Sequence, residues 1–271
     1  MAADFRGLTR IGDGKFGGIR REQTSDFFLS AFSAVHPSRR YWNEPPRKAN
    51  NPKNSVPTPP AIPTPPLLLA SRSPRRRLLL EQWGYPHEAE QPGFEDGVLQ
   101  SRSGGPSTTW KEIAPDQWVV SLAYLKAWAG AKLASAKGRI VLGADTTCVV
   151  DGAMAGTPTS ESEARDMLKS MVGKQHQVLT GVALIDLREA SGDPDRSRRM
   201  FVDRASVRWG DISDEQIDEY VASGAWQGKA GGYNLAERLA AGWPIQYEGD
   251  ETTIMGLPMR KLRVVLGGMV E

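Results

Sequence analysis

Apolar positions along the chain follow two periods. Residues 67–71 open with a continuous apolar run, which reads as a short buried strand. Ser73-Pro74 follows, a hydroxyl N-cap with proline at the first helical position, and predicts a helix through Trp83. Over residues 115–136, Trp118, Leu122, Leu125, Ala129 and Leu133 recur at helical spacing. Residues 139–150, RIVLGADTTCVV, form a β-branched strand with Gly143 inside it. Over 160–171, Ala164, Met167, Leu168 and Met171 share one helical face. Residues 175–187 and 200–209 read as a strand pair joined by a polar loop. Ser213 and Gln216 make a capping box for a helix over 213–223. Gly256-Leu257-Pro258 leads into a last helix through Leu266. Strands alternating with helices predict a layered α/β fold.

The region before Leu67 does not share this patterning. It holds ten of the 19 prolines, and 51–66, NPKNSVPTPPAIPTPP, suits only an extended linker. Residues 1–66 carry ten Lys/Arg against five Asp/Glu, so the remaining residues hold 34−10 = 24 basic and 32−5 = 27 acidic. A basic, Pro-rich, disordered extension (1–66) therefore precedes a mildly acidic folded body (67–271). Its one apolar patch, FFLSAFSAV at 27–35, starts too far inside the chain for a usual export signal and reads as a short fluctuating helix.

Composition narrows the chemistry. A net charge of +2 provides no whole-chain field to hold a nucleic acid polymer. One cysteine, Cys148, excludes an intramolecular disulfide and a cysteine zinc cluster. No apolar run approaches the ~18 residues of a membrane helix. The lack of export signal and paired cysteines suits the cytoplasm. Cys148 reads as a small buried hydrophobe, and His176 as a hydrogen-bonded strand residue.

Five places could carry chemistry. In LASRSPRR (69–76) a strand turns into a helix, whose N-terminus offers unpaired N–H groups and a positive dipole end. Ser71 and Ser73 add hydroxyls there. Arg75 and Arg76 sit in the first turn, where the dipole disfavours cations unless an anion binds. In GADT (143–146), Asp145 is a carboxylate inside an apolar strand, a candidate general base or metal ligand; a turn-capping role stays open. Gly143 beside it suggests a bulge or close ligand approach. Glu95-Asp96 adds carboxylates, and Lys126 sits among apolar helix neighbours, either functional or snorkelling. GKAGGY (228–233) is a Gly-rich loop holding Lys229. Carboxylates, cations and a helix N-terminus together suit metal-assisted hydrolysis of a nucleotide anhydride.

Taken in order, LASRSPRRRLLL (69–80), LAYLKA (122–127), GADT (143–146), QHQVLTGVAL (175–184), GKAGGY (228–233) and EGDETTIMGLP (248–258) resemble the Maf family of nucleoside triphosphate pyrophosphatases. The resemblance covers about Leu67 to Leu266. It implies an elongated layered α/β fold of the inosine triphosphate pyrophosphatase-like type, with a cleft between two lobes. It implies hydrolysis between the α and β phosphates of a nucleoside triphosphate, a divalent cation (Mg²⁺ or Mn²⁺), and a homodimer. Carried over position by position, Asp145 matches the catalytic acid/base. Ser73, Arg75 and Arg76 match the phosphate-binding S-P-R-R, and Lys126 the helix lysine. Asp96 stands where members usually have Glu. Asp145 and Asp96 are then the metal carboxylates, and Ser73, Arg75, Arg76, Asp96, Lys126, Thr146 and Lys229 the substrate-binding set. Arg75 after the proline, with Thr146, resembles the dTTP/UTP-preferring subgroup; the 7-methyl-GTP subgroup is the main alternative.

Two departures stand out. Members read G-K-P where this chain has Gly156-Thr157-Pro158, so a phosphate-contacting lysine is missing. Members follow the Gly-rich loop with I-Q-G, where this chain has Leu235-Ala236-Glu237. These leave a second reading open: a catalytically weakened nucleotide-binding protein on the same scaffold.

Overall fold

A computed structural model of the chain describes residues 67–92, 113–188 and 198–270. The extension at 1–66 and the Glu95-Asp96 pair lie outside them. The described chain runs β1 (Leu67–Ala70), α1 (Pro74–Gln82), β2 (His87–Glu90), α2 (Pro115–Ala131), β3 (Ile140–Val150), β4 (Ala153–Ala155), α3 (Glu161–Met171), β5 (Gln175–Asp186), β6 (Arg198–Trp209), α4 (Asp214–Ala222), α5 (Leu235–Ala240), β7 (Ile245–Glu248), α6 (Glu251–Ile254) and α7 (Met259–Val270). Single 3₁₀ turns lie at Ala134–Ala136 and Ala230–Gly232.

Each long element predicted from periodicity is present within a few residues. The second helix stops at Ala131, and its expected last turn is the separate 3₁₀ turn. The Ser213 hydroxyl accepts from the Gln216 N–H while the Gln216 side chain accepts from the Ser213 N–H, the reciprocal cap expected for α4. The elements absent from the sequence reading are the short ones: β2, β4, β7, α5 and α6. Their three to six residues are too few to display a period.

The strands form one mixed sheet in the order β2-β1-β3-β5-β6-β7, with β4 also on β3. β1 runs parallel to β2 and β3, while β3–β5, β5–β6 and β6–β7 are antiparallel. Alternation along a strand sends successive side chains to opposite faces. On one face Ile140, Leu142 and Ala144 of β3 join Leu67, Leu69, Val182, Leu184, Leu257 and Leu262 in a first core. On the same face Cys148 and Val150 join Val178, Val207, Trp209, Trp226 and Trp243 in a second. Between the two lies a polar row across three strands: Thr146 pairs with Thr180, and Thr180 with Asp203.

The opposite face is covered by α2. All nine residues from Val119 to Ala127 are buried, the pattern of a helix enclosed on every side. A Cβ built on Gly143 would lie 2.2 Å from the Ala123 carbonyl oxygen and 2.6 Å from the Ala127 nitrogen. One on Gly181 would lie 2.5 Å from the Val119 carbonyl. Gly143 therefore marks neither a bulge nor a ligand, as its sequence context suggested. It lets the α2 backbone lie directly on the strands.

Candidate active site

The site begins with a gap in strand pairing. On one side of β3, β1 pairs only with Ile140–Leu142, and β4 pairs only from Cys148 onward. Residues 143–147 therefore have a strand partner, among the described residues, only on the β5 side. β1 ends beside this interval and turns through Ser71–Ser73 into α1. The crevice beyond the carboxyl end of a parallel strand is where open α/β sheets bind ligands. Pro74 occupies the first helical turn and the Ser73 N-cap makes no side-chain capping bond.

Adjacent residues in this interval serve opposite faces. Asp145 points to the α2 face, where Lys126 Nζ donates to its Oδ1 at 2.7 Å and to the Ala144 carbonyl at 3.4 Å. Lys126 and Asp145 are 7% and 8% exposed. The close seating of α2 on Gly143 puts a helix lysine within reach of a strand carboxylate. Lys126 is thus no snorkelling surface residue.

Thr146 points to the other face, toward Arg76. The Arg76 guanidinium is buried and donates through Nε to the Gly256 carbonyl (2.7 Å), through Nη1 to Ser71 Oγ (3.2 Å) and through Nη2 to Thr146 Oγ1 (3.2 Å). The polar row fixes the hydroxyl directions. Thr180 gives its one hydroxyl proton to the Thr253 carbonyl at 2.8 Å, so at 2.9 Å it accepts from Thr146. The Thr253 hydroxyl donates to Asp203 Oδ2 at 2.5 Å. Burial raises the Asp203 carboxyl, against the pull of the Thr253 bond and of Lys261.

A third group surrounds the Gly-rich loop. Lys229 Nζ forms an ion pair with Glu237 of α5. Burial lowers the Arg75 guanidinium, while the Glu237 carboxylate raises it. The Arg238 guanidinium lies 4.0 Å over the Tyr220 ring, and the Tyr220 hydroxyl donates to the Gly232 carbonyl at 3.1 Å. The loop needs its glycine at 231: φ is +70°, and a Cβ would meet Cys148 Sγ at 2.5 Å. The Gly231 N–H donates to the Gly156 carbonyl at 2.9 Å, which brings Thr157 beside the same loop.

The sequence-derived set thus divides. Asp145 with Lys126, Arg76 with Thr146, and Lys229 with Glu237, whose charge also acts on Arg75, are three groups of the described residues; Ser73 precedes α1, its N–H donating to Ser71 Oγ at 3.2 Å. Lys229, expected to await phosphate, is instead occupied by Glu237. Asp96 lies outside the described residues. Sequence reasoning missed Thr180, Thr253, Asp203 and Glu237. The first and third had a signal, because each interrupts an apolar face at a period of two. Cys148 is buried with its thiol pushed up to about 12, so it is no nucleophile. His176 Nε2 bonds the Tyr233 hydroxyl at 2.8 Å, the strand role expected for it.

A mixed sheet backed by helices, with a helix start and a Lys–Asp pair beside one break in strand pairing, defines a layered α/β protein. The family described as Maf-like protein matches residues 66–269, and the chain belongs to it. The dTTP/UTP pyrophosphatase of Salinibacter ruber is 37% identical over 197 residues, 73% of this chain and 87% of that protein. That of Symbiobacterium thermophilum is 37% identical over 195 residues, 72% of this chain and 89% of that one. The solved nucleoside-triphosphatase / dITP/XTP pyrophosphatase from Mycobacterium abscessus covers 54% of this chain and 75% of its own at 16% identity, with a TM-score of 0.30, too loose an overlay to bear on the fold.

Proposed function

We propose that this protein is a nucleoside triphosphate pyrophosphatase, cutting the α–β phosphoanhydride of dTTP or UTP to give the monophosphate and pyrophosphate. The observation that carries the reading is the Lys126–Asp145 ion pair at the open interval of β3, one residue from the Arg76–Thr146 contact at the start of α1. Membership of the Maf-like family supports the same reaction.

The chemistry follows from the side chains. Water attacks the α-phosphorus, a P–O bond forms, and pyrophosphate leaves with the electron pair of the broken bond. Asp145 takes the proton of the attacking water. Lys126 holds that carboxylate in one orientation. Arg76, itself oriented by three neutral acceptors, and Arg75 place positive charge where the polyphosphate gains it in the transition state. The Ser73 turn and first N–H groups of α1 receive phosphate oxygens.

Mg²⁺ and Mn²⁺ suit this donor set. Mg²⁺ is commonly held by one or two carboxylates together with substrate phosphates. Among the described residues no three His, Cys, Asp or Glu converge on a point, so these residues build no all-protein cage. Asp145, joined by Asp96, would hold the ion, which when bound neutralises phosphate charge. A homodimer and a cytoplasmic setting complete the reading. Among the described residues no helix is long and apolar enough to cross a membrane.

The test is pyrophosphate release from dTTP, UTP, 7-methyl-GTP and the common purine triphosphates with Mg²⁺ or Mn²⁺. Asp145→Asn should lower kcat by about 10²–10⁴-fold, the usual worth of a general base, with an unchanged circular dichroism spectrum. Full activity in that variant would remove Asp145 from the chemistry. Nucleotide binding by the wild type without turnover would favour the non-cutting reading to which Thr157 and Ala236 point.

A further inference from the structure

The ion pair between Lys229 and Glu237 joins two unequal partners. The Lys229 side chain is 10% exposed, whereas that of Glu237 is 45% exposed. The cation is thus fixed in the wall of the site, and the carboxylate reaches it from the solvent side on a long, flexible stem. A second cation, Arg75, feels the same carboxylate from the first turn of α1. A third, Arg238, is next to Glu237 in the chain and stacks on Tyr220. Lys229 and Arg75 thus share one carboxylate, with Arg238 beside them on Tyr220.

Glu237 has a local duty too. It lies in the first turn of α5, where a carboxylate favours the helix dipole, and its N–H donates to the Asn234 side chain at 3.2 Å. That duty concerns its backbone and its sequence position. It does not require the side chain to reach back to Lys229.

We propose that Glu237 is an internal counter-anion of the substrate site: it neutralises Lys229 when the site is empty and must be displaced by the terminal phosphates of a nucleoside triphosphate. The inference rests on the pyrophosphatase reading and adds an affinity-setting residue to it. An ion pair with one half-exposed partner is open to exchange, since water and salt compete for the Glu237 carboxylate. A polyphosphate brings several charge-assisted acceptors to the same cation and to Arg75. Glu237 therefore lowers affinity for every polyphosphate. It keeps the site from being held by pyrophosphate, the product, which engages the same cations without the contacts of the nucleoside.

The measurement is calorimetric titration of inorganic tripolyphosphate into wild type, Glu237→Gln and Glu219→Gln, alongside steady-state kinetics on dTTP and UTP. Glutamine keeps the size of the side chain and an acceptor for Lys229, and a thermal melt checks that each variant is folded. Glu219 is an exposed carboxylate of α4 outside the Lys229–Glu237 pair, so its variant removes the same charge without breaking that pair. Glu237→Gln should tighten tripolyphosphate binding by about fivefold. Its KM for nucleotide should fall, and inhibition by pyrophosphate should strengthen, by a similar factor. Glu219→Gln should resemble wild type. Unchanged binding in Glu237→Gln, or an equal gain in Glu219→Gln, would overturn the proposal and leave the ion pair as scaffold. The titration needs no turnover. A wild type that cuts no nucleotide sinks the pyrophosphatase reading alone, and normal turnover without a binding shift sinks the counter-anion alone.

Discussion

At the scale of single residues, polar atoms enclosed among apolar strands carry most of the information. Asp145, Thr146, Thr180 and Asp203 all lie on strands that are otherwise built for a core, and each has a defined partner. Burial of such groups is costly without those partners. His176 illustrates the consequence. It is 2% exposed, its Nε2 bonds Tyr233, and its Nδ1 has no partner. A protonated ring would have to bury a second N–H with nothing to receive it, so burial lowers its pKa to about 4. The unfolded chain takes up this proton near pH 6.5, before the folded one does. Stability is therefore complete above pH 6.5 and falls as the pH drops toward 4, levelling off below. The loss attributable to His176 is about 3 kcal/mol. Urea unfolding at pH 7, 5.5 and 4.5 should show this slope in wild type and a flatter one in His176→Phe; equal slopes would assign the acid sensitivity to other groups.

At the scale of elements, the contact between α2 and the sheet decides where the chemistry sits. Gly143 and Gly181 clear the space for the helix backbone, and Lys126 reaches Asp145 because the helix is that close. Gly143→Ala should push α2 from the strands, lower stability by about 2–3 kcal/mol as overpacking does, and break the Lys126–Asp145 pair. Pyrophosphatase activity should fall with it, measured well below the melting temperature so that unfolding does not contribute. A variant of full stability and activity would show that the helix has room to shift. The long elements here were readable from period alone. The polar row was readable only in part: a threonine in a strand also has high β-propensity, so Thr146 and Thr180 do not announce themselves as hydrogen-bond partners until the register sets them side by side.

At the scale of the whole molecule, residues 1–66 differ in composition from the rest, with ten of the 19 prolines and ten basic against five acidic residues. The Maf-like match begins at residue 66, where the proline-dense stretch ends. Removing residues 1–66 should leave kcat/KM for the preferred nucleotide unchanged and reduce retention on a heparin column, because the extension holds net charge +5 from ten basic and five acidic residues. A loss of activity greater than about tenfold, which is about 1.4 kcal/mol in the transition state, would assign part of the site to the extension.

By itself, the sequence determined the α/β class, the residues of the long helices and strands and the motifs of the family. It could do so because periodicity, capping and motif spacing are local, and local patterns survive in a linear string. Only the tertiary structure decided how those residues meet. The fold sent Asp145 and Thr146 to opposite faces of β3, in the interval where neither β1 nor β4 pairs with it. It also brought Glu237 onto Lys229, an ion pair between residues whose side chains carry no signal of each other along the chain. Contacts of that kind depend on the register of strands and the path of loops, which the order of residues encodes only through the packing of the whole.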